Sequence, residues 1–385
     1  MNFRKIMNMV VFTTIVCALS IPAQKRIISK DISSREYKVE DFSGKDYVLL
    51  KKKFGDITEF YLANKRNDPD LTINGEKEKL FSFHKDDKVQ LIQFSNSGEQ
   101  VVFRRLKNDK KVWEVYDIKT KKSKIVESEE GSVTMASFYD MNNILYRVSL
   151  KHDRPRIYLI KDNKDPVFID NGFTAKWSNN TNYFLIELFQ NAELSLFEKK
   201  KYGKISKEEY VNQLKAQGGP KREIFSKYVI SNADGQRLLV LEDFNIVDWI
   251  QWSPDNKKII IQERGDRGFK IIYLDYISES NIVIKNVYHF PGFPKFERQT
   301  STFCQSPKWS PDGNKILFIT SVENDHSVLY DNIYILEDSS YNYYPINESQ
   351  DSFIFKVDWI SNKSIFMDSR NKITKEDFTH EITFE

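Results

Sequence analysis

Side chains able to do chemistry are few and scattered in this chain of 385 residues. Its five histidines, His84, His152, His289, His326 and His380, show no His-Glu-x-x-His pair and no Cys-His spacing suited to zinc. Each reads as an ordinary loop or strand histidine. There is no Gly-x-Ser-x-Gly nucleophile elbow, and no stretch is left over for a hydrolase domain beyond the repeats described below. Asp255 and Asp312 are of a type suited to acid/base work, but they recur at one position of a repeated turn, which marks a structural role. Carboxylates from distant segments can still converge on one mouth, as in some glycosidases, and the sequence leaves that open. The expectation is of no catalytic residue, no metal ligand and no cofactor.

Whatever site exists must be positioned by a repeat. Seven times an aromatic residue precedes a short β-rich run, at Phe42, Phe94, Phe138, Trp177, Trp252, Trp309 and Trp359. The clearest copies are Trp252-Ser-Pro-Asp-Asn-Lys-Lys-Ile259 and Trp309-Ser-Pro-Asp-Gly-Asn-Lys-Ile316. A period of roughly 40 to 60 residues built from short strands is that of a β-propeller, one blade per repeat. The anchor aromatic should end an inner strand and bury its large face between neighbouring sheets. Ser-Pro-Asp-Gly then makes a tight turn, since proline presets φ and Asp and Gly suit the positions after it.

The next strand is apolar, as in Ile259-Ile260-Ile261 and Ile316-Leu317-Phe318-Ile319. A third strand is marked by tyrosine. From anchor to tyrosine the offset is 22 residues for Phe94 to Tyr116, 20 for Phe138 to Tyr158, 21 for Trp252 to Tyr273 and 25 for Trp309 to Tyr334. For Trp177 to Tyr228 it is 51, so this repeat carries an insertion. There the pattern turns helical from Ile205 to Gln217, with Ser206 and Glu209 placed for a capping box and Gly218-Gly219-Pro220 as a stop. The fold class expected is all-β: a β-propeller of seven four-stranded blades, six being the alternative, with one short helical insertion at about 198–224. Residues 26–40 could supply a strand that closes the short last repeat; if 42–83 did so instead, the count would be six.

The repeats WSPDNKKIII and WSPDGNKILFI resemble the WD40-like repeat of TolB-type propellers, also found in the propeller domains of prolyl-oligopeptidase-like peptidases. Two copies match closely and five are degenerate. TolB-like proteins carry a separate small α/β domain before six blades, and here the first anchor is already at Phe42.

Arg4 and Lys5 precede an apolar run from Met9 to Ile21, and Ala23 offers a small residue for cleavage before Gln24. Residues 1–23 therefore read as a secretory signal peptide and 24–385 as a single propeller domain. The apolar run falls short of the ~20 residues that span a bilayer. Removing Arg4 and Lys5 brings the net charge from +3 to +1, a balance that argues against a nucleic-acid partner. One cysteine, Cys304, would remain, so no intrachain disulfide is expected.

Binding is expected on loops that enter the inner strands. The segment before Trp309 contains Phe290, Phe293, Phe296 and Arg298, residue types enriched at interface hot spots. Tyr210 and Leu214 of the helical insertion are the second candidates. The function expected is an exported, non-enzymatic scaffold, periplasmic or secreted, that binds a protein or peptide of the bacterial cell envelope. No nucleic acid and no integral membrane span are expected. The alternatives are a propeller glycosidase or lyase, and an accessory propeller of a separate peptidase.

Overall fold

A computed structural model describes residues 27–31, 37–42, 47–64, 77–107, 110–189, 196–216, 226–241, 247–263, 266–292, 301–323, 328–348 and 352–384. After β1 (Ile27–Asp31) the chain winds through successive antiparallel sheets. The first holds β2 (Lys38–Phe42), β3 (Tyr47–Phe54), β4 (Ile57–Asn64) and β5 (Lys77–His84). The second holds β6 (Leu91–Phe94), β7 (Gln100–Lys107), β8 (Lys110–Asp117) and β9 (Ser123–Val126).

A seven-stranded sheet follows: β10 (Ser132–Phe138), β11 (Ile144–Ser149), β12 (Arg156–Ile160), β13 (Val167–Trp177), β14 (Tyr183–Phe189), β15 (Ser226–Asn232) and β16 (Arg237–Leu241). Its middle strand is shared. The first half of β13 pairs with β12, and the second half, from Gly172 to Trp177, pairs with β14.

Two more four-stranded sheets come next. One is β17 (Val247–Trp252), β18 (Lys258–Glu263), β19 (Phe269–Ser278) and β20 (Asn281–Phe290). The other is β21 (Ser301–Trp309), β22 (Lys315–Glu323), β23 (Val328–Glu337) and β24 (Tyr343–Glu348). The last sheet holds β25 (Ser352–Ser361), β26 (Ser364–Asn371) and β27 (Asp377–Phe384), and β1 completes it, with Ile27 opposite Phe384. The N-terminal strand thus closes the last sheet, while residues 42–83 contribute to a sheet of their own.

Apolar clusters fill the space between successive sheets. Phe94 packs with Leu49 and Phe60, Phe138 with Trp113 and Val115, and Trp177 with Leu145 and Ile157. Trp252 packs with Leu185 and Ile230, Trp309 with Ile260 and Ile271, and Trp359 with Leu317 and Ile333. In each case but that of Trp177, whose partners lie on β11 and β12 of its own seven-stranded sheet, the anchor reaches into the preceding sheet. The side chain of Phe42 lies outside the described residues.

Within the ring, the inner strands form a closed hydrogen-bonded circuit. Phe94 N–H donates to Asp41 Oδ2 (2.6 Å), Asn96 N–H to the Phe138 carbonyl (2.9 Å) and Trp177 N–H to Ser137 Oγ (3.3 Å). Lys176 Nζ donates to the Ile250 carbonyl (3.1 Å), and Trp249 Nε1–H to that of Pro307 (2.8 Å). Lys308 Nζ donates to the Val357 carbonyl (2.9 Å), and Lys356 Nζ to that of Glu40 (2.5 Å), which returns the circuit to β2. Desolvation at this inner position pulls the Lys176 pKa down, against the pull of Glu187.

The anchor turns behave as their residues dictate. Gly313 N–H donates to the Ser310 carbonyl (2.9 Å) at φ +71, and Asn256 takes the same place after Ser253 at φ +61. Gly, and less often Asn, tolerates that left-handed backbone. Partial burial disfavours the charged form of Asp312. Hydrogen bonds from Ser310 Oγ (2.6 Å) and Asn314 N–H (3.1 Å) outweigh it and hold the carboxyl below the usual range. Asp255 repeats the arrangement, with Ser253 Oγ and Lys257 N–H as donors. Both aspartates hold turns together.

The indole N–H groups of Trp177, Trp252 and Trp309 have no hydrogen-bond partner among the described residues. Buried area, not polarity, therefore holds these anchors. Trp252→Phe should cost under about 1.5 kcal/mol, as a swap that keeps most of the volume. Trp252→Ala should cost about 3–5 kcal/mol. Urea midpoints of the two variants check the contrast.

Candidate functional site

Because strands alternate in direction, all anchor turns lie on one face and the starts of the inner strands on the other, the mouth face. Near those starts the ladder is interrupted. Glu40 is an extra residue in β2, Thr134 in β10, Phe173 in β13, Asp248 in β17 and Phe355 in β25, each unpaired between registered neighbours. In β21 the irregularity takes in Ser306 and Pro307, with Ser306 at φ +48. A β-bulge re-aims one side chain and bends its strand. Although they sit on the innermost strands, none of Glu40, Thr134, Phe173, Asp248, Ser306 and Phe355 is buried, and Phe355 is 58% exposed.

Neighbouring groups hold the bulges. Arg147 Nε–H donates to Thr134 Oγ1 (2.9 Å) and its Nη1 to the Phe173 carbonyl (2.5 Å), spanning two inner strands. Arg370 lies over the Phe355 ring at 5.2 Å, and Lys372 over Phe353 at 4.7 Å. Ile373, in the adjoining turn, is 76% exposed. Aromatic faces beside cations thus stand at the mouth.

Between the sheets of β17–β20 and β21–β24 lies a cavity of about 290 Å³, lined by Asp248, Trp249, Gln262, Glu263, Asp266, Cys304, Gln305 and Ser306. Lys270 pairs with Glu263 at 2.6 Å, and His289 contacts Asp266 at 3.1 Å. The hairpin carrying Asp266 is clamped onto the end of β20. A Cβ on Gly268 would stand 1.7 Å from the Phe290 carbonyl oxygen, so only glycine fits there. Burial, and then the Asp266 charge, pushes the Cys304 thiol up, which leaves it a packing residue rather than a nucleophile. Three carboxylates line this cavity, yet among the described residues no three His, Cys, Asp or Glu side chains converge enough to hold a metal ion.

The helical insertion, between β14 and β15, also belongs to the mouth face. It contains two helices where the sequence pattern shows one: α1 (Leu196–Lys201) and α2 (Lys207–Ala216). Ser206 Oγ accepts from Glu209 N–H at 3.0 Å, as its capping position requires. The first helix was missed because its charged run, Glu198 to Lys201, shows no apolar stripe. Its docking is ionic. Arg154, in the loop after β11, meets Glu198 in a bidentate pair at 2.8 and 2.6 Å, both side chains being under 10% exposed, with the Phe189 ring 4.2 Å from the guanidinium.

The sequence-derived binding candidates separate. Phe290 is buried between Phe269 and Phe318, at 5.2 and 5.3 Å, and offers no surface to a partner; it ends β20 rather than joining the loop. Phe293, Phe296 and Arg298 lie outside the described residues, as does His326. Tyr210 and Leu214 are half-exposed on α2, with the Lys200 ammonium 4.6 Å from the Tyr210 ring. Sequence reasoning missed Asp248, Trp249 and Phe355. Thr134, Phe173, Asp248 and Phe355 each stand four residues before an anchor, an offset that gains meaning only once the strand pairing is known.

The chain resembles several solved structures. One is the β-propeller domain of Cps50 (Swd1) from Myceliophteria thermophila, at 9% identity and a TM-score of 0.53, covering 92% of this chain and 99% of that one. Another is the oligogalacturonate lyase of Vibrio parahaemolyticus, at 11% identity and 0.53, covering 93% and 96%. TolB from Acinetobacter baumannii aligns at 9% identity and 0.39, covering 89% and 64%. The chain is a β-propeller. That likeness is one of fold, shared with a lyase as well as with proteins that carry no such activity in their names. No model of a protein family matches the chain, and no curated relative matches its sequence. Among the described residues no helix is long and apolar enough to cross a membrane.

Breaking a buried ion pair costs about 3–5 kcal/mol when one partner is removed. Arg154→Ala should therefore release the insertion, read as new proteolytic cleavage within residues 196–216, while cleavage elsewhere is unchanged.

Proposed function

We propose that this chain is an exported, non-enzymatic seven-bladed propeller of the TolB-like, WD40-like kind, whose mouth face binds a protein or peptide of the bacterial cell envelope. The seven-stranded sheet is read as two blades sharing β13, which accords with the closed circuit of inner strands. Residues 1–23, outside the described region, are read as a signal peptide, and 24–385 as one domain, periplasmic or secreted. The observation that carries the reading is a convergence on one face. The bulged residues, the largest departure from the repeat and the cavity beside Trp249 all lie at the mouth, whereas the anchor turns repeat one compact design. Exposed aromatic side chains beside arginine and lysine, as at Phe355, are the chemistry of protein interfaces.

A second reading has its own observation. Asp248, Glu263 and Asp266 line one cavity, as a carboxylate enzyme would require. The pairing of Glu263 with Lys270 favours a structural duty for that residue. A lyase would release unsaturated sugar acids from oligogalacturonate, and Asp248→Asn would abolish that release.

A pull-down from envelope extract compares the mature protein with a deletion of residues 203–219, which leaves α1 in place. The expected result is a specific protein retained by the wild type and reduced or lost on deletion. Equal absence of partners from both forms, together with turnover of a glycan, would replace the scaffold reading by the enzymatic one.

A further inference from the structure

A second cavity, of about 180 Å³, opens on the mouth face between the sheets of β2–β5 and β6–β9. Its floor is apolar, with Phe60 and Phe83 meeting edge to face at 6.0 Å and Ile92 beside them. Its rim is made largely of hydrogen-bond donors: Lys51, Lys85, Lys88, His84, Thr58 and Gln90. The charges there can be matched one by one. Among the lysines, Lys51 pairs with Glu40 at 3.3 Å and Lys85 with Asp56 at 2.8 Å, while Asp86 and Asp87 of the adjoining turn face His84. Lys88 is left, with no ion pair to its ammonium among the described residues.

Two further details point the same way. Gln90 Oε1 accepts from Arg104 at 2.7 Å, so its amide nitrogen is the end that remains to donate. Lys88 sits at φ +46, a left-handed conformation that a lysine rarely adopts, held where the chain leaves the short 3-10 turn of Lys85–Asp87.

We propose that this cavity binds a small organic monocarboxylate, its acid group on Lys88 and the Gln90 amide and its flat apolar body against Phe60 and Phe83. Lys88 offers one ammonium free of an ion pair among the described residues, and a single ammonium suits a carboxylate better than a phosphate dianion. The size sets the ligand's limit, because pockets for larger molecules run to about 300–1,000 Å³. Only a single ring fits. A carboxylate bound here leaves the protein-binding reading of the mouth untouched.

Benzoate, its neutral isostere benzamide and inorganic phosphate, titrated calorimetrically into the mature protein, test the site. Benzoate should bind at least about tenfold more tightly than either of the others. Lys88→Asn, which suits the left-handed backbone, should erase the preference for benzoate over benzamide without lowering the thermal midpoint, and Lys88→Arg should keep it. Equal binding of benzoate and benzamide overturns the proposal, as do tighter binding of phosphate, full retention of benzoate by the asparagine variant, and no benzoate binding in the millimolar range.

Discussion

The structure depends on closing a ring. Each inner strand is tied to the next by a hydrogen bond, and the tie from Lys356 to Glu40 joins the last sheet to the first. A single such bond contributes about 1 kcal/mol, somewhat more where an ammonium donates. None would hold the circle alone. The circle persists because every link also fixes the spacing at which an anchor aromatic can enter the preceding sheet, so hydrogen bonding and apolar burial reinforce one another. The pairing of β1 with β27 covers β27 and makes the short β1 the outer edge of the last sheet. Ile27 and Phe384, 357 positions apart in the sequence, are thereby neighbours.

A closed ring leaves its two faces free to differ. On the anchor face the turns are short and interlocked. Asn179 Nδ2 donates to the Ser253 carbonyl (2.6 Å), and Asp312 N–H to Asn362 Oδ1 (3.0 Å), so each turn braces its neighbour. Little there can change without disturbing two blades. On the mouth face the bulges interrupt the ladders, and the chain admits an insertion of two helices pinned by Arg154 and Glu198. The strand order supplies stability while the mouth supplies variety. This division is the physical reason for placing recognition at the mouth.

Much of the fold was legible because it repeats. Trp252 and Trp309 with their Ser-Pro-Asp turns, the apolar second strands and the third-strand tyrosines such as Tyr273 recur at nearly fixed offsets. The insertion was legible as a broken offset at Tyr228. The site was less so, and for identifiable reasons. A bulge depends on how two strands pair, so Phe355 looks in sequence like any other inner-strand aromatic. Phe290 looked like a loop residue because Pro291-Gly292 follows it, yet it is the buried end of β20. The Arg154–Glu198 pair joins positions 44 residues apart, with no periodicity to announce it.

The mouth-face account is tested most directly by photo-crosslinking from single positions in the mature protein exposed to envelope extract. A photoreactive residue replaces Phe355 on the mouth in one variant and Lys119, exposed in the turn after β8 on the opposite face, in another. The account predicts a discrete crosslinked species from the Phe355 position and none from the Lys119 position. A partner captured only from Lys119, or equally from both, would contradict it.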